Sequence, residues 1–324
     1  MTLFRPLFLI AFALSFITCE TIVDVDIPDE PSRLVTNAFL QADSAVVVEL
    51  TQSQSILVNA ELKSVSGATV TLLEEAQPVA TLEESETPGI YFSTFTPSVG
   101  KTYTLQVSKT GFESVQATTF IAPPVAIGSV EVDTSVFIST YNNGDSLVTE
   151  RSVMVNEIRL RFNDPPNERN YYEVSVYRYE TQLQNRFDDQ GNFIDSDTVR
   201  YFSPLFLRSD DLAISGTGSD PLEGDSEFYG TVMSLNDDFF DGKPYTLRFS
   251  QAQSFGFSLR VEPQLYVVLR TIDEAQYRYL RSVDLQYENE GNPFAEPVQV
   301  YSNVENGFGI VAGSSANQVV VDLE

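Results

Sequence analysis

From Arg33 onward, apolar and polar residues alternate with a period near two, the signature of strands with one buried face. Seven such runs cover residues 34–40, 45–51, 68–73, 78–82, 90–95, 102–108 and 115–121, and turn formers such as Ser66-Gly67, Pro88-Gly89 and Gly111 separate them. Seven short strands in about ninety residues predict a β-sandwich over residues 33–122. Ile121-Ala122-Pro123-Pro124 closes it, since consecutive prolines cannot donate to a ladder. Residues 125–324 predict a larger, β-rich C-terminal domain, with strands at 127–137, 153–162, 171–183, 201–207, 227–233, 244–255, 264–271 and 318–323. Within it, 188–192 reads as a hairpin turn. One helix is predicted at 275–287, where Tyr279, Leu280, Val283 and Tyr287 recur at helical spacing, with Asp273 or a neighbour as its cap. The fold class is mainly β, without an internal repeat.

Composition turns this into exclusions. The 324 residues include 23 Phe and 15 Tyr but no Trp, a loading that suits pleated sheet better than a helix bundle. Acidic residues number 46 against 19 Lys and Arg, for a net charge of -27, so no nucleic-acid partner is expected. There is no histidine. That removes the commonest general base, the commonest metal ligand and every Ser-His or Cys-His nucleophile pair. The chain reads as non-enzymatic, with no catalytic residue, metal or cofactor assigned.

The only cysteine is Cys19, which leaves no intramolecular disulfide and no thiolate zinc site. It follows Arg5 and an apolar run over residues 7–17, a length that suits a signal peptide and is too short for a spanning helix. Phe16-Ile17-Thr18-Cys19 resembles a bacterial lipobox, with Thr18 where Gly or Ala is usual and Phe16 where Leu is usual. Residues 1–18 are therefore expected to be a lipoprotein signal peptide, and Cys19 the lipidation site that anchors the chain to the membrane; an ordinary secretory signal is the alternative. Residues 19–32 form an acidic tether, with five carboxylates and no cation between Glu20 and Glu30. Such a tether resembles the export signal of Bacteroidetes-type surface lipoproteins; a plain solvated linker reads equally well.

Candidate chemistry elsewhere is weighed against simpler readings. Glu296 and Glu305 could pair for glycoside hydrolysis, although 46 acidic residues make some such pair inevitable. Two oxygen-rich stretches invite comparison with calcium loops: Asp188, Asp189, Asn192, Asp195 and Asp197, and then Asn236, Asp237, Asp238 and Asp241. Neither has EF-hand spacing, and both read first as turns. Asn142-Asn143-Gly144-Asp145 is a turn, and Gly216-Thr217-Gly218-Ser219 lacks the context of a phosphate loop. In Asn163-Asp164-Pro165-Pro166-Asn167, side chains that bond their own backbone are expected to make the turn. Tyr171 and Tyr172 then point to opposite faces, one to the core and one to the surface. Residues 303–309 are rich in turn formers and are expected to set Phe308 at a loop tip. The many tyrosines after residue 171 serve either sheet packing or a binding surface.

Three blocks carry a family likeness: Cys19-Glu20 with Val23-Asp24-Val25-Asp26-Ile27-Pro28; Arg161-Phe162-Asn163-Asp164-Pro165 leading to Asn170-Tyr171-Tyr172; and Gly291-Asn292-Pro293-Phe294 running on to Val304-Glu305-Asn306-Gly307-Phe308-Gly309-Ile310. Together they resemble an uncharacterised family of Bacteroidetes outer-membrane lipoproteins, a domain of unknown function often encoded beside TonB-dependent receptors. The glycine-punctuated hairpins of residues 67–105 look like a carboxypeptidase-regulatory-like or immunoglobulin-like module. The likeness implies an outer-membrane location, facing the cell exterior, and a TonB-dependent receptor as partner; the chain would be an accessory or ligand-capture subunit. A structural or adhesive surface lipoprotein is the rival, and a carboxylate-based hydrolase the third reading. Metabolic labelling with a radioactive fatty acid should mark the full chain and fail to mark Cys19→Ala; equal labelling of both would leave an ordinary secretory signal.

Overall fold

Each of the seven alternating runs before residue 122 forms a strand, because its apolar face finds a core to enter. The computed structural model describes residues 31–55, 61–142, 148–214, 228–253, 259–261, 264–289 and 298–323. Residues 32–54 and 59–324 make one compact unit, to which all the elements belong. Cys19, the signal segment, the tether up to residue 30 and residues 143–147, 215–227 and 290–297 lie outside the described residues. Expectations for Asn143-Gly144-Asp145, Gly216-Thr217-Gly218-Ser219, Glu296 and the 291–297 connection fall there too. Among the described residues no helix is long and apolar enough to cross a membrane.

The first strands are β1 (Leu34–Gln41), β2 (Val46–Gln52), a short β3 (Lys63–Ser64), β4 (Thr69–Glu74), β5 (Gln77–Glu84), β6 (Ile90–Ser93), β7 (Lys101–Ser108) and β8 (Val115–Ile121). Strand β5 pairs with β4 along most of its length and with β6 at its end, so it carries the ladder from one layer to the other. The two layers enclose a core of Leu40, Val48 and Leu50 against Leu72, Leu105 and Ile121.

Then come β9 (Ile127–Asn142), β10 (Val148–Asn163), β11 (Tyr171–Phe187), β12 (Phe193–Pro204), β13 (Leu207–Ser209), β14 (Phe228–Gly230), β15 (Val232–Asn236), β16 (Pro244–Gln253), β17 (Leu259–Val261) and β18 (Gln264–Ile272). The single described helix, α1 (Glu274–Asn289), and a last strand, β19 (Phe308–Asp322), complete the order. A five-stranded sheet, β14-β13-β16-β10-β9, turns Ile158, Leu160, Phe162, Leu247 and Phe249 onto a second core. Facing it are Tyr172, Val174 and Val176 of β11 and Leu265, Val267 and Leu269 of β18. The expectation of a mainly β chain with one helix holds. Asp273 caps that helix as expected, its Oδ1 accepting the Gln276 N–H at 2.8 Å. The run expected at 201–207 divides into β12 and β13, and that at 227–233 into β14 and β15.

The principal departure is at the end of the chain. The expected strand at 318–323 is the tail of a strand that starts at Phe308. Its first half pairs in parallel with β1, from Val35↔Phe308 to Gln41↔Ser314, and its second half pairs antiparallel with β18, from Ile272↔Ser314 to Gln264↔Asp322. Residues 310–315 are all buried, so both faces of the strand are covered there. Small residues meet that demand: Gly313 lies where a Cβ would come within 2.6 Å of the Thr119 hydroxyl. Ser315 donates its hydroxyl to the Ala122 carbonyl at 2.7 Å. Small residues in place of an alternating pattern hid the strand from periodicity. Phe308 is accordingly not at a loop tip; it opens β19 opposite Val35, with the Arg33 guanidinium 5.6 Å above its ring.

The parallel seam is tight at Gly309, whose φ of +109° favours glycine and whose added Cβ would sit 2.1 Å from the Thr36 carbonyl oxygen. Gly191, in the β11–β12 turn, also has positive φ (+82°) but nothing within 4 Å. Gly309→Ala should therefore cost more than about 2 kcal/mol in urea unfolding, and Gly191→Ala only about 1 kcal/mol. Equal losses would mean that the seam is loose.

Candidate functional site

A concave feature of about 760 Å³ opens where the outer side of β8, the 163–170 connection, the β18–α1 junction and residues 298–307 meet; Phe120, Arg169, Tyr171, Arg278, Tyr301 and Asn303 line it. Each side chain is held from behind. Tyr171 starts β11 and leans on Tyr277 of α1, with ring centroids 4.8 Å apart. Arg169 stands 5.8 Å above the Tyr171 ring and is paired with Asp238 at 2.7 Å. Arg278 is paired at 3.0 Å with Glu274, one helical turn before it, and lies 5.5 Å over the Tyr301 ring. Asn303 imitates a strand: its side chain donates to the Val311 carbonyl at 2.7 Å and accepts the Val311 N–H at 3.0 Å. At the floor, Asp273 accepts the Thr119 hydroxyl and the Gln276 N–H, and burial raises its pKa. Aromatic faces beside anchored guanidinium groups suit a polar ligand that carries a ring, since the faces meet C–H groups and the guanidinium groups donate to oxygens.

Helix α1 explains one correction. Tyr171 and Tyr172 do point to opposite faces, but both are buried: Tyr172 enters the second core, and Tyr171 is covered by the helix. Glu173, two residues on, is buried under the same helix, paired with Arg270 opposite it at 3.3 Å and with the Gln276 amide at 2.8 Å.

A second cluster joins the 163–170 connection to the loop after β15. One carboxylate oxygen from each of Asp164, Asp237 and Asp241 lies within 4.8 Å of the other two. Asp164 does not bond its own turn, contrary to expectation. It accepts the buried Tyr172 hydroxyl at 2.5 Å and the Gly242 N–H at 2.8 Å, so it ties two loops and a strand together. Asp237 accepts the Asn170 N–H at 2.7 Å, and Asp241 the Asn167 N–H at 3.2 Å. Oxygen donors of this kind match a hard cation in type, though calcium takes six to eight of them. Of the stretch 236–241, Asp237 and Asp241 thus come together, while Asp238 turns away to Arg169 and Asn236 donates to the Tyr277 hydroxyl.

The other oxygen-rich stretch is a turn. Asp188 accepts the N–H groups of Gln190 and Asn192, which lowers its pKa, and Asp195 pairs with Arg186 at 2.5 Å. Glu305 is exposed and clamps residue 305 to β8, accepting the Gln116 amide at 2.7 Å. The tyrosines mostly pack: Tyr172 and Tyr245 join Phe162 and Phe240 in the second core, and Tyr177, Tyr179 and Tyr266 gather around Phe202. Sequence reasoning missed Arg169 and Arg278. Their signal was present in the scarcity of cations, each set beside an acidic or aromatic partner.

The family model Domain of unknown function (DUF4249) matches residues 20–319. No curated protein matches the chain.

Burial raises the Asp164, Asp237 and Asp273 carboxyls from their ordinary value. Such groups bind a proton more tightly folded than unfolded, so the stability they contribute is complete below the unfolded value and is lost as pH rises through the folded one. The urea midpoint should therefore rise as the pH is lowered from neutral toward the ordinary carboxylate value, and rise less in Asp164→Asn. A falling midpoint, or a rise that Asp164→Asn leaves unchanged, would contradict this.

Proposed function

The chain belongs to the family of Domain of unknown function (DUF4249), and from that premise we propose that it is a non-enzymatic, lipid-anchored outer-membrane lipoprotein that captures a ligand for a TonB-dependent transporter. The observation that carries the capture role is the cavity of about 760 Å³, with the exposed Phe120 as a ring face and Arg169 and Arg278 as donors. Both guanidinium groups are already fixed by Asp238 and Glu274, so little ordering remains for a ligand to impose. Anchoring rests on Cys19 at the end of an apolar run and on the acidic tether that follows it. Diacylation with further acylation would hold the chain stably, since one acyl chain alone binds only marginally.

The long β11–β12 hairpin supports a protein partner. Leu183, Phe187, Phe193 and Ile194 near its tip are each more than half exposed. A receptor would cover them in the transporter reading. In the rival reading, a structural or adhesive surface lipoprotein, the same hairpin would meet another surface component.

Tagged native protein pulled from outer membranes in mild detergent, with Cys19→Ala as control, separates the two by mass spectrometry. A stoichiometric β-barrel receptor, lost in the control and in Phe187→Asp, is expected. Recovery of the lipoprotein alone, across detergents and with crosslinking, would move the reading to the adhesive one.

A further inference from the structure

The five-stranded sheet has an outer face whose charge is unlike that of the rest of the chain. Along β10, residues 158, 160 and 162 enter the second core, so Glu157, Arg159 and Arg161 stand on the other side. The partner strands add Arg248 and Ser250 from β16, Arg208 from β13 and Tyr229 from β14, in one continuous register. A depression of about 550 Å³ lies among Arg159, Arg161, Arg208 and Arg248, with Glu157 and Asp210 also on its wall. Four of only 19 cationic side chains thus share one face of a chain whose net charge is -27.

The arrangement is costly as structure. Arg159 and Arg248 are directly opposite in the ladder, a like-charge pair that destabilises a sheet. Acidic residues of β9 compensate only one side: Arg159 is paired with Glu131 at 3.1 Å and Asp133 at 2.5 Å, and Arg161 with Glu131 at 3.1 Å. Among the described residues Arg248 and Arg208 have no salt bridge. Arg208 instead lies 5.3 Å over the ring of Tyr229, which is stacked on Phe206 at 5.2 Å and 16°. Tyr229 is 62% exposed and Phe206 55%, so this pair is an aromatic platform open to solvent.

We propose that this face binds a saccharide carrying a sulfate or phosphate ester, with the oxyanion held between Arg208 and Arg248 and the sugar ring laid against the Phe206–Tyr229 platform. A tetrahedral oxyanion offers edges to guanidinium groups arriving from two strands, whereas a single carboxylate offers one edge to one fork. The aromatic pair supplies the face that sugar C–H groups need. The overall charge limits ester density: a dense polyanion is repelled at long range, and isolated esters are not. This reading goes beyond capture in the α1 cavity, because it concerns a different face and different residues.

Calorimetric titration of the full chain in detergent with glucose 6-sulfate, glucose 6-phosphate, glucuronate and glucose tests it. Saturable binding of at least one ester at millimolar concentration, with glucose and glucuronate at least about tenfold weaker, is expected. The tighter ester identifies the source of the oxyanion, and equal affinity leaves the shared chemistry in place. Arg248→Thr should weaken ester binding about tenfold or more while raising the thermal midpoint, since it relieves the repulsion with Arg159. Tyr229→Ala should weaken it by a similar factor, and Lys63→Ala, at an exposed cation of β3 outside both concave sites, should leave it unchanged. No saturable binding of either ester, equal binding of glucose, or ester binding unaltered in an Arg208→Ala/Arg248→Thr double variant would overturn the proposal.

Discussion

Strand β19 donates and accepts along its whole length, first in parallel with β1 and then antiparallel with β18. The change of partner falls at Ser314, which pairs with Gln41 on one side and Ile272 on the other. Around that point the Ala42 N–H reaches the Ser314 carbonyl, the Asp273 N–H reaches the Gly313 carbonyl, and Ser315 reaches Ala122. Both hydrophobic cores therefore draw on one strand: Val311 is buried in the first, and Val321 packs against the second. The helix cap, the floor of the α1 cavity and the closing edge of the first sandwich are all fixed from these few residues. Their smallness is what lets β8 and the β18–α1 junction approach the strand so closely.

Cations are used sparingly, and around the α1 cavity and helix they are used in one manner. Arg169, Arg270 and Arg278 each take a carboxylate partner within 3.3 Å and then serve a packed or concave place. Exposed ion pairs add little to stability by themselves, so their value here is in holding side chains still. The buried carboxylates play the complementary part. Asp164, Asp237 and Asp273 each accept hydrogen bonds from elements distant in sequence, and a neutral residue could not satisfy the same donors as strongly. In a chain this acidic, carboxylates act as the joints between loops.

Much of the first sandwich was legible because its strands have one wet face and one dry face. The alternation at 46–50 or 115–121 is regular, and the structure repeats it residue by residue. The helix was legible from the spacing of Tyr279, Leu280 and Val283 and from the Asp273 cap. What escaped was decided by tertiary context. Ile310–Ser315 is buried on both faces, so periodicity is erased there; one of Tyr171 and Tyr172 was expected at the surface because no local signal says that α1 folds back over Tyr171. The site residues were harder still. Arg169, Arg278 and the outer arginines of β10, β13 and β16 are brought together by pairing register, and one strand's sequence does not contain another strand's register.

The parallel seam also orders events in time. Strand β1 is near the start of the described residues, and its partner Phe308–Ser314 is near their end, with the hairpins of both sandwiches between them. Local hairpins such as β4–β5 and β11–β12 can close early, but β1 keeps an open edge until the distant partner arrives, the slow step expected of a fold rich in long-range pairing. An open edge is a template. At high local concentration, the β19 of one copy can complete the seam of another, so exchange of this strand between two chains is the misassembly to which this architecture is most exposed.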